Sequence, residues 1–134
     1  MLILAVEHEG RLIGSQDVRA RDLPVLRTVT SGSWLTRGAQ GKGLGTEMRA
    51  GILQLAFDHL GAEWAESGAI SWNAASLRVS EKLGYRPNGR ARVQTRPGEA
   101  RDEVRVRLHR DDFVRPGWTA TVVLPDAARA QLLG

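Results

Sequence analysis

The 134-residue chain is 42% apolar and 25% charged, a composition that suits one domain built on one core. It has no cysteine, which excludes a disulfide framework, a thiolate metal site and a thiol nucleophile. It also lacks a signal-peptide core and any run near the roughly 18 apolar residues of a membrane span, so a cytoplasmic setting is expected. The net charge of +4 rests on 17 arginines and two lysines, Lys42 and Lys82, and favours anionic partners such as phosphates.

In chain order, LILAV (2–6) and RLIG (11–14) flank a short polar turn, the pattern of a strand hairpin. A third strand is expected in VLRTVTSGSWLT (25–36), which is rich in β-branched residues. A glycine-rich stretch, RGAQGKGLGT (37–46), follows. From Leu44 the apolar residues Leu44, Met48, Ile52, Leu55 and Ala56 recur at helical spacing up to Leu60, where Gly61 supplies a left-handed stop. AEWAESGAI (62–70) reads as a short strand. Asn73 is placed to cap a second helix, ASLRVSEKLG, that closes at Gly84.

RARVQTR (90–96) and EVRVRLH (103–109) alternate about a PGEARD turn, which predicts an antiparallel hairpin. The tail holds a strand-like TATVVL and a short helix, DAARAQLL. No linker or repeat divides the chain, so residues 1–134 are expected to form a single domain. The predicted order is β-β-β-α-β-α-β-β, a mixed, mostly antiparallel α/β sheet flanked by helices. Its glycine loop lies at a strand-to-helix turn, where such sheets usually bind ligands.

Three phosphate-binding loops compete for residues 37–46. A nucleotide P-loop of the form GxxxxGK[ST] fails twice, because Thr36 stands where glycine is needed and Gly43 where Ser or Thr is needed. A dinucleotide fingerprint, GxGxxG, fits only its first two glycines. The third form, [Q/R]xxGx[G/A], is met by Gln40, Gly41, Lys42, Gly43, Leu44 and Gly45. Such a loop presents backbone N–H groups ahead of a helix, which suits a pyrophosphate; Lys42 adds charge and Thr46 a hydroxyl.

The segment from Asn73 to Tyr85, NAASLRVSEKLGY, resembles the NxxSxxVxEKLGF segment of GCN5-related N-acetyltransferases. RGAQGKGLGTEMRAGILQLAFDHLGA is similar to that family's acetyl-CoA segment, one helix and one strand upstream. The subgroup it resembles most acetylates the N-termini of ribosomal proteins. The resemblance implies acetyl-CoA, or another acyl-CoA, as co-substrate and an amine as acceptor, a protein N-terminus or a small molecule. It implies no metal. The acyl-CoA would lie in a V-shaped opening between the strand ending at Leu35 and the strand at 62–70. Backbone groups of Trp34 and Leu35 would hold the pantetheine arm, residues 40–46 the pyrophosphate, and Asn73 the arm or the acceptor side. Lys82, in the EKLG motif, is a further candidate for binding the co-substrate.

Catalysis by direct attack needs a proton for the leaving thiolate. Many family members have a tyrosine where this chain has Ser80, and the subgroup instead has a serine aligned with Ser76; Ser76 is therefore the candidate donor. The acceptor must also lose a proton, at a cost of about 4.6 kcal/mol at pH 7 for an amine of pKa ~10.4. The strand before the glycine loop lacks the subgroup's acid, leaving Glu7, Glu66 and His8 as candidate bases. The family normally opens with a strand and helices that cover the acceptor, whereas this chain starts at what corresponds to the second strand. An exposed sheet edge and a homodimer are then expected. The alternative is an acyl-CoA-binding domain without turnover. RNA binding by the arginine-rich segment 86–115 is disfavoured, because it has no interleaved aromatics for base stacking.

Overall fold

In the computed structural model, which describes residues 1–133, strands β1 (Leu2–His8) and β2 (Arg11–Ala20) form an antiparallel hairpin. The reversal is at Glu9 and Gly10, both with positive φ, the backbone that a right-twisted two-residue hairpin requires. β2 then pairs antiparallel with β3 (Thr28–Leu35), from Ala20↔Val29 to Gly14↔Leu35. The strand expected from Val25 thus begins only at Thr28. Pro24 instead sits in the first turn of a short helix, α1 (Leu23–Leu26), because its fixed φ and missing N–H suit that position.

Helix α2 (Leu44–Gln54) continues into a wider π-type turn, Leu55–His59, and the chain reverses at Gly61. Strand β4 (Trp64–Ile70) follows, then α3 (Ala74–Leu83). Gly84 closes α3 in the left-handed region: its N–H donates to Glu81 O, and the N–H of Tyr85 donates to Ser80 O. The last two strands, β5 (Arg86–Arg96) and β6 (Glu99–His109), are longer than expected. Their turn is Pro97–Gly98 alone, with Glu99–Asp102 inside β6. Ion pairs such as Arg92–Asp102 at 3.4 Å accompany this polar end of the hairpin.

The six strands form one sheet in the order β1-β2-β3-β4-β6-β5, mixed and mostly antiparallel, flanked by helices. The core lies on one face. Val18, Val29, Ala65, Val106 and Leu108 point from the sheet into a single cluster. Each helix adds to it, including Leu23 from α1, Leu53 from α2, Leu83 from α3 and Leu132 from α4 (Asp126–Leu133).

The expected strand TATVVL does not form; residues 119–125 have no strand or helix. Gln54 Oε1 accepts from the N–H of Ala120 and its Nε2 donates to the carbonyl of Trp118 at 3.1 Å. These bonds tie the segment to a helix. Its β-branched residues instead supply Val122, with Leu124, to the edge of the core.

Candidate functional site

β3 and β4 are parallel neighbours for three pairs only, Thr28↔Trp64, Val29↔Ala65 and Thr30↔Glu66. One step further on, Ser67 Oγ donates to the carbonyl of Ser31 at 3.1 Å, a side chain standing in for the next ladder bond. Beyond it the strands diverge toward their carboxyl ends. Trp34 and Leu35 are paired to Ser15 and Gly14 of β2, and their other edge, toward β4, carries no ladder. An unpaired strand edge of this kind can accept an extended ligand as an added strand.

The glycine loop follows at the wide end of this opening. Gly41 and Gly43 both have φ near +78°, which glycine adopts without the Cβ penalty. Gly43 is the N-cap of α2 and leaves that end without any side-chain cap. The first N–H groups of the helix therefore await an acceptor, and the helix dipole favours an anion there. α3 is built differently: Asn73 Oδ1 accepts from the N–H of Ser76 at 3.2 Å and closes its end. The Asn73 carbonyl side chain is thus engaged in capping. Gln40, though exposed, donates from Nε2 to Leu35 O at 3.1 Å, so the loop is fastened to the end of β3.

Several of the residues singled out in the sequence come together. Gly45 packs between Leu35 and Val79, where a Cβ would lie 3.6 and 3.8 Å from their methyl carbons. Leu44 starts α2 beside it. Gly43, Thr46 and Lys82 line one groove of about 380 Å³. Lys42 is exposed at the loop tip. Ser76 is half-buried in the first turn of α3, within the span that follows β4. Glu7 and His8, by contrast, end β1, two strands away from the opening.

Sequence reasoning missed three features. Arg49 on α2 is 5% exposed. It donates to Ser80 Oγ at 2.9 Å and to Ser76 O at 3.4 Å, and its guanidinium lies 5.1 Å from the centre of the Tyr85 ring. None of the ion pairs among the described residues involves it. Its helical register with Ile52 and Leu53 could have marked it as inward-facing. Glu103 is the second. Its carboxylate lies over Gly68 of β4, where a Cβ would meet Oε1 at 2.8 Å, and it pairs with Arg105. Glu66 is on the same face, 3.7 Å from Arg107, whose guanidinium stacks 3.6 Å from the centre of the Trp64 ring. The third is the tail, whose Val114, Arg115 and Trp118 line the groove that holds Gly43 and Lys82. Among the described residues, no three His, Asp or Glu side chains converge as a metal site would require.

Comparison with known proteins gives a consistent picture. The model of the acetyltransferase (GNAT) domain family matches residues 1–86. YjcK of Bacillus subtilis, named a probable N-acetyltransferase, is 33% identical over 84 residues, or 63% of this chain and 46% of its own length. The chain therefore spans about half of that curated relative. Among solved structures, yncA of Salmonella typhimurium, determined with its cofactor acetyl-CoA, is 26% identical. It superposes with a TM-score of 0.69 over 85% of this chain and 67% of its own. RimJ of Mycobacterium smegmatis, in complex with CoA-disulfide, is 21% identical with a TM-score of 0.74, over 84% of this chain and 56% of its own, a likeness of fold.

Proposed function

The chain belongs to the GNAT acetyltransferase family, and from that premise we propose that it is an acyl-CoA-dependent N-acetyltransferase. It moves an acetyl, or larger acyl, group to a primary amine. The observation that carries this reading is the opening between β3 and β4 with an uncapped, glycine-lined helix end at its wide side. Acetyl-CoA fits both parts. The pantetheine arm lies along the free edge of Trp34 and Leu35, and the pyrophosphate meets the N–H groups of residues 41–46 with Lys42 beside it. Gln40 holds the loop to β3.

The amine nitrogen attacks the thioester carbonyl carbon while both substrates are bound. A backbone N–H at the free edge of β3 stabilises the charge that develops on the carbonyl oxygen. The carbon–sulfur bond then breaks; Ser76 Oγ gives a proton to the departing thiolate and regains one released from the newly acylated nitrogen, through solvent. The acceptor arrives from the sheet face opposite the helices. There Glu66 and Glu103 present carboxylates next to the opening, placed to hold the amine and pass its proton to solvent. The resemblance to acetyltransferases of ribosomal-protein N-termini makes a peptide N-terminus the first acceptor to try.

One observation favours the second reading, an acyl-CoA-binding domain without turnover that a partner copy completes. Each helix packs into the single core on one side, so the face carrying Glu66 and Glu103 has no helix over it among the described residues. Incubation with acetyl-CoA and a panel of peptides, polyamines and aminoglycosides, followed by mass spectrometry, separates the two. An acetylated amine is expected. Binding of acetyl-CoA with every amine unmodified would establish the second reading in its place.

A further inference from the structure

Residues 113–120 lie beyond the segment that the family model matches, yet they are fastened to the end of α2, the turn that follows it and the end of α3. Phe113 is buried against Phe57, with ring centres 5.7 Å apart. The N–H of Val114 donates to Leu83 O at 3.0 Å. Arg115 forms a two-pronged pair with Asp58 at 2.8 and 2.9 Å. Gln54, 3% exposed, uses both ends of its amide on the backbone of Trp118 and Ala120. A buried glutamine is costly to desolvate, and its hydrogen bonds here go wholly to holding an irregular stretch of chain.

What the fastening leaves free is the Trp118 indole, 40% exposed at the groove that also holds Gly43, Thr46 and Lys82. Its lining joins the uncapped start of α2, Lys82 at the end of α3 and the aromatic Trp118 of the tail. Glu47 is the acid in the groove; it disfavours a phosphate at that point and can accept from the amine of a base. This set of groups suits a nucleotide that continues from the pyrophosphate: a helix end for an anion, a cation, and a flat aromatic surface.

We propose that the tail segment Phe113–Trp118 is the nucleotide wall of the acyl-CoA site, with the Trp118 indole stacked on the purine and Lys82 facing its phosphates. The assignment rests on the acyl-CoA reading above; what it adds is the tail and Trp118, which that reading does not use. Binding of acetyl-CoA and of acetyl-pantetheine, which keeps the thioester and arm but has no nucleotide, is measured by calorimetry for the wild type, W118F and W118A. Gln54 holds the carbonyl of Trp118 and not its side chain, so the variants keep the fastening; thermal melts check that they do.

The preference for acetyl-CoA over acetyl-pantetheine is expected to fall about tenfold in W118A, the order of one lost base–aromatic stack, and to be largely retained in W118F. An unchanged preference, or an equal loss for both thioesters, would overturn the proposal while leaving the acyltransferase reading intact. Nucleotide-dependent binding through Trp118 without acyl transfer would do the reverse. A wild type that binds no acetyl-CoA would overturn both.

Discussion

Arg49 is buried against polar groups that are all neutral: the hydroxyl of Ser80, the carbonyl of Ser76 and the face of Tyr85. A desolvated guanidinium without a carboxylate is expensive, and apolar replacements of buried charges are often neutral or stabilising. R49M is therefore expected to melt at or above the wild-type temperature. It should nevertheless lose activity, because Arg49 braces the turn that presents Ser76. The loss should fall on kcat, with KM for acetyl-CoA little changed. A large drop in Tm would instead make Arg49 a stability element. For Ser76 itself, S76A should lower kcat by roughly a hundredfold, the usual range for a positioned proton donor, with acetyl-CoA binding retained. An unchanged kcat removes Ser76 from the reaction. At the loop, G43V would put a β-branched residue at φ +78° and a side chain over the helix end. Calorimetry should show acetyl-CoA affinity falling about tenfold or more, whereas wild-type affinity would exclude the loop from phosphate binding.

Among the elements, the hairpins, both main helices and β4 were legible because apolar periodicity and glycine stops are local signals. Ser67, by contrast, carries no local mark of what it does. That the β3–β4 ladder stops after three pairs follows from register between strands more than thirty residues apart, which periodicity does not encode. The tail shows the same limit. TATVVL has the propensity of a strand, but Gln54 takes hydrogen-bonding groups at its start and the segment is held to a helix. Glu103 and Trp118 were missed for a related reason: each acts through a neighbour, Gly68 or the α2 groove, that only the folded chain brings near.

The tail also has a pH-dependent anchor. The two hydrogen bonds from Arg115 hold the Asp58 carboxyl below its ordinary value, while partial burial opposes them. A folded-state value below the unfolded one, about 3.9, means that the pair's contribution is present above that pH and is lost as pH falls through the folded value. Both side chains are more than a third exposed, so the contribution is at most about 1 kcal/mol. Tm should accordingly fall less steeply below about pH 4 in D58N than in the wild type. Identical slopes would mean that the pair does not fasten the tail.

At the scale of the whole molecule, one sheet with its core on one side gives the chain two unlike faces. The helix side holds the glycine loop, the groove and Ser76. The opposite side carries half-buried charged residues, among them Glu66, Glu103, Arg105 and Arg107, in a row along β4 and β6. On the proposed reading the opening between β3 and β4 links the two, as direct transfer between separately bound substrates requires. That connection is tested most directly by initial rates of thiol release, with acetyl-CoA and the best acceptor amine varied together. Direct attack within a ternary complex predicts double-reciprocal lines that intersect and thiol release that requires the amine. Parallel lines, the pattern of an acylated enzyme intermediate, or thiol release indifferent to the amine would contradict it.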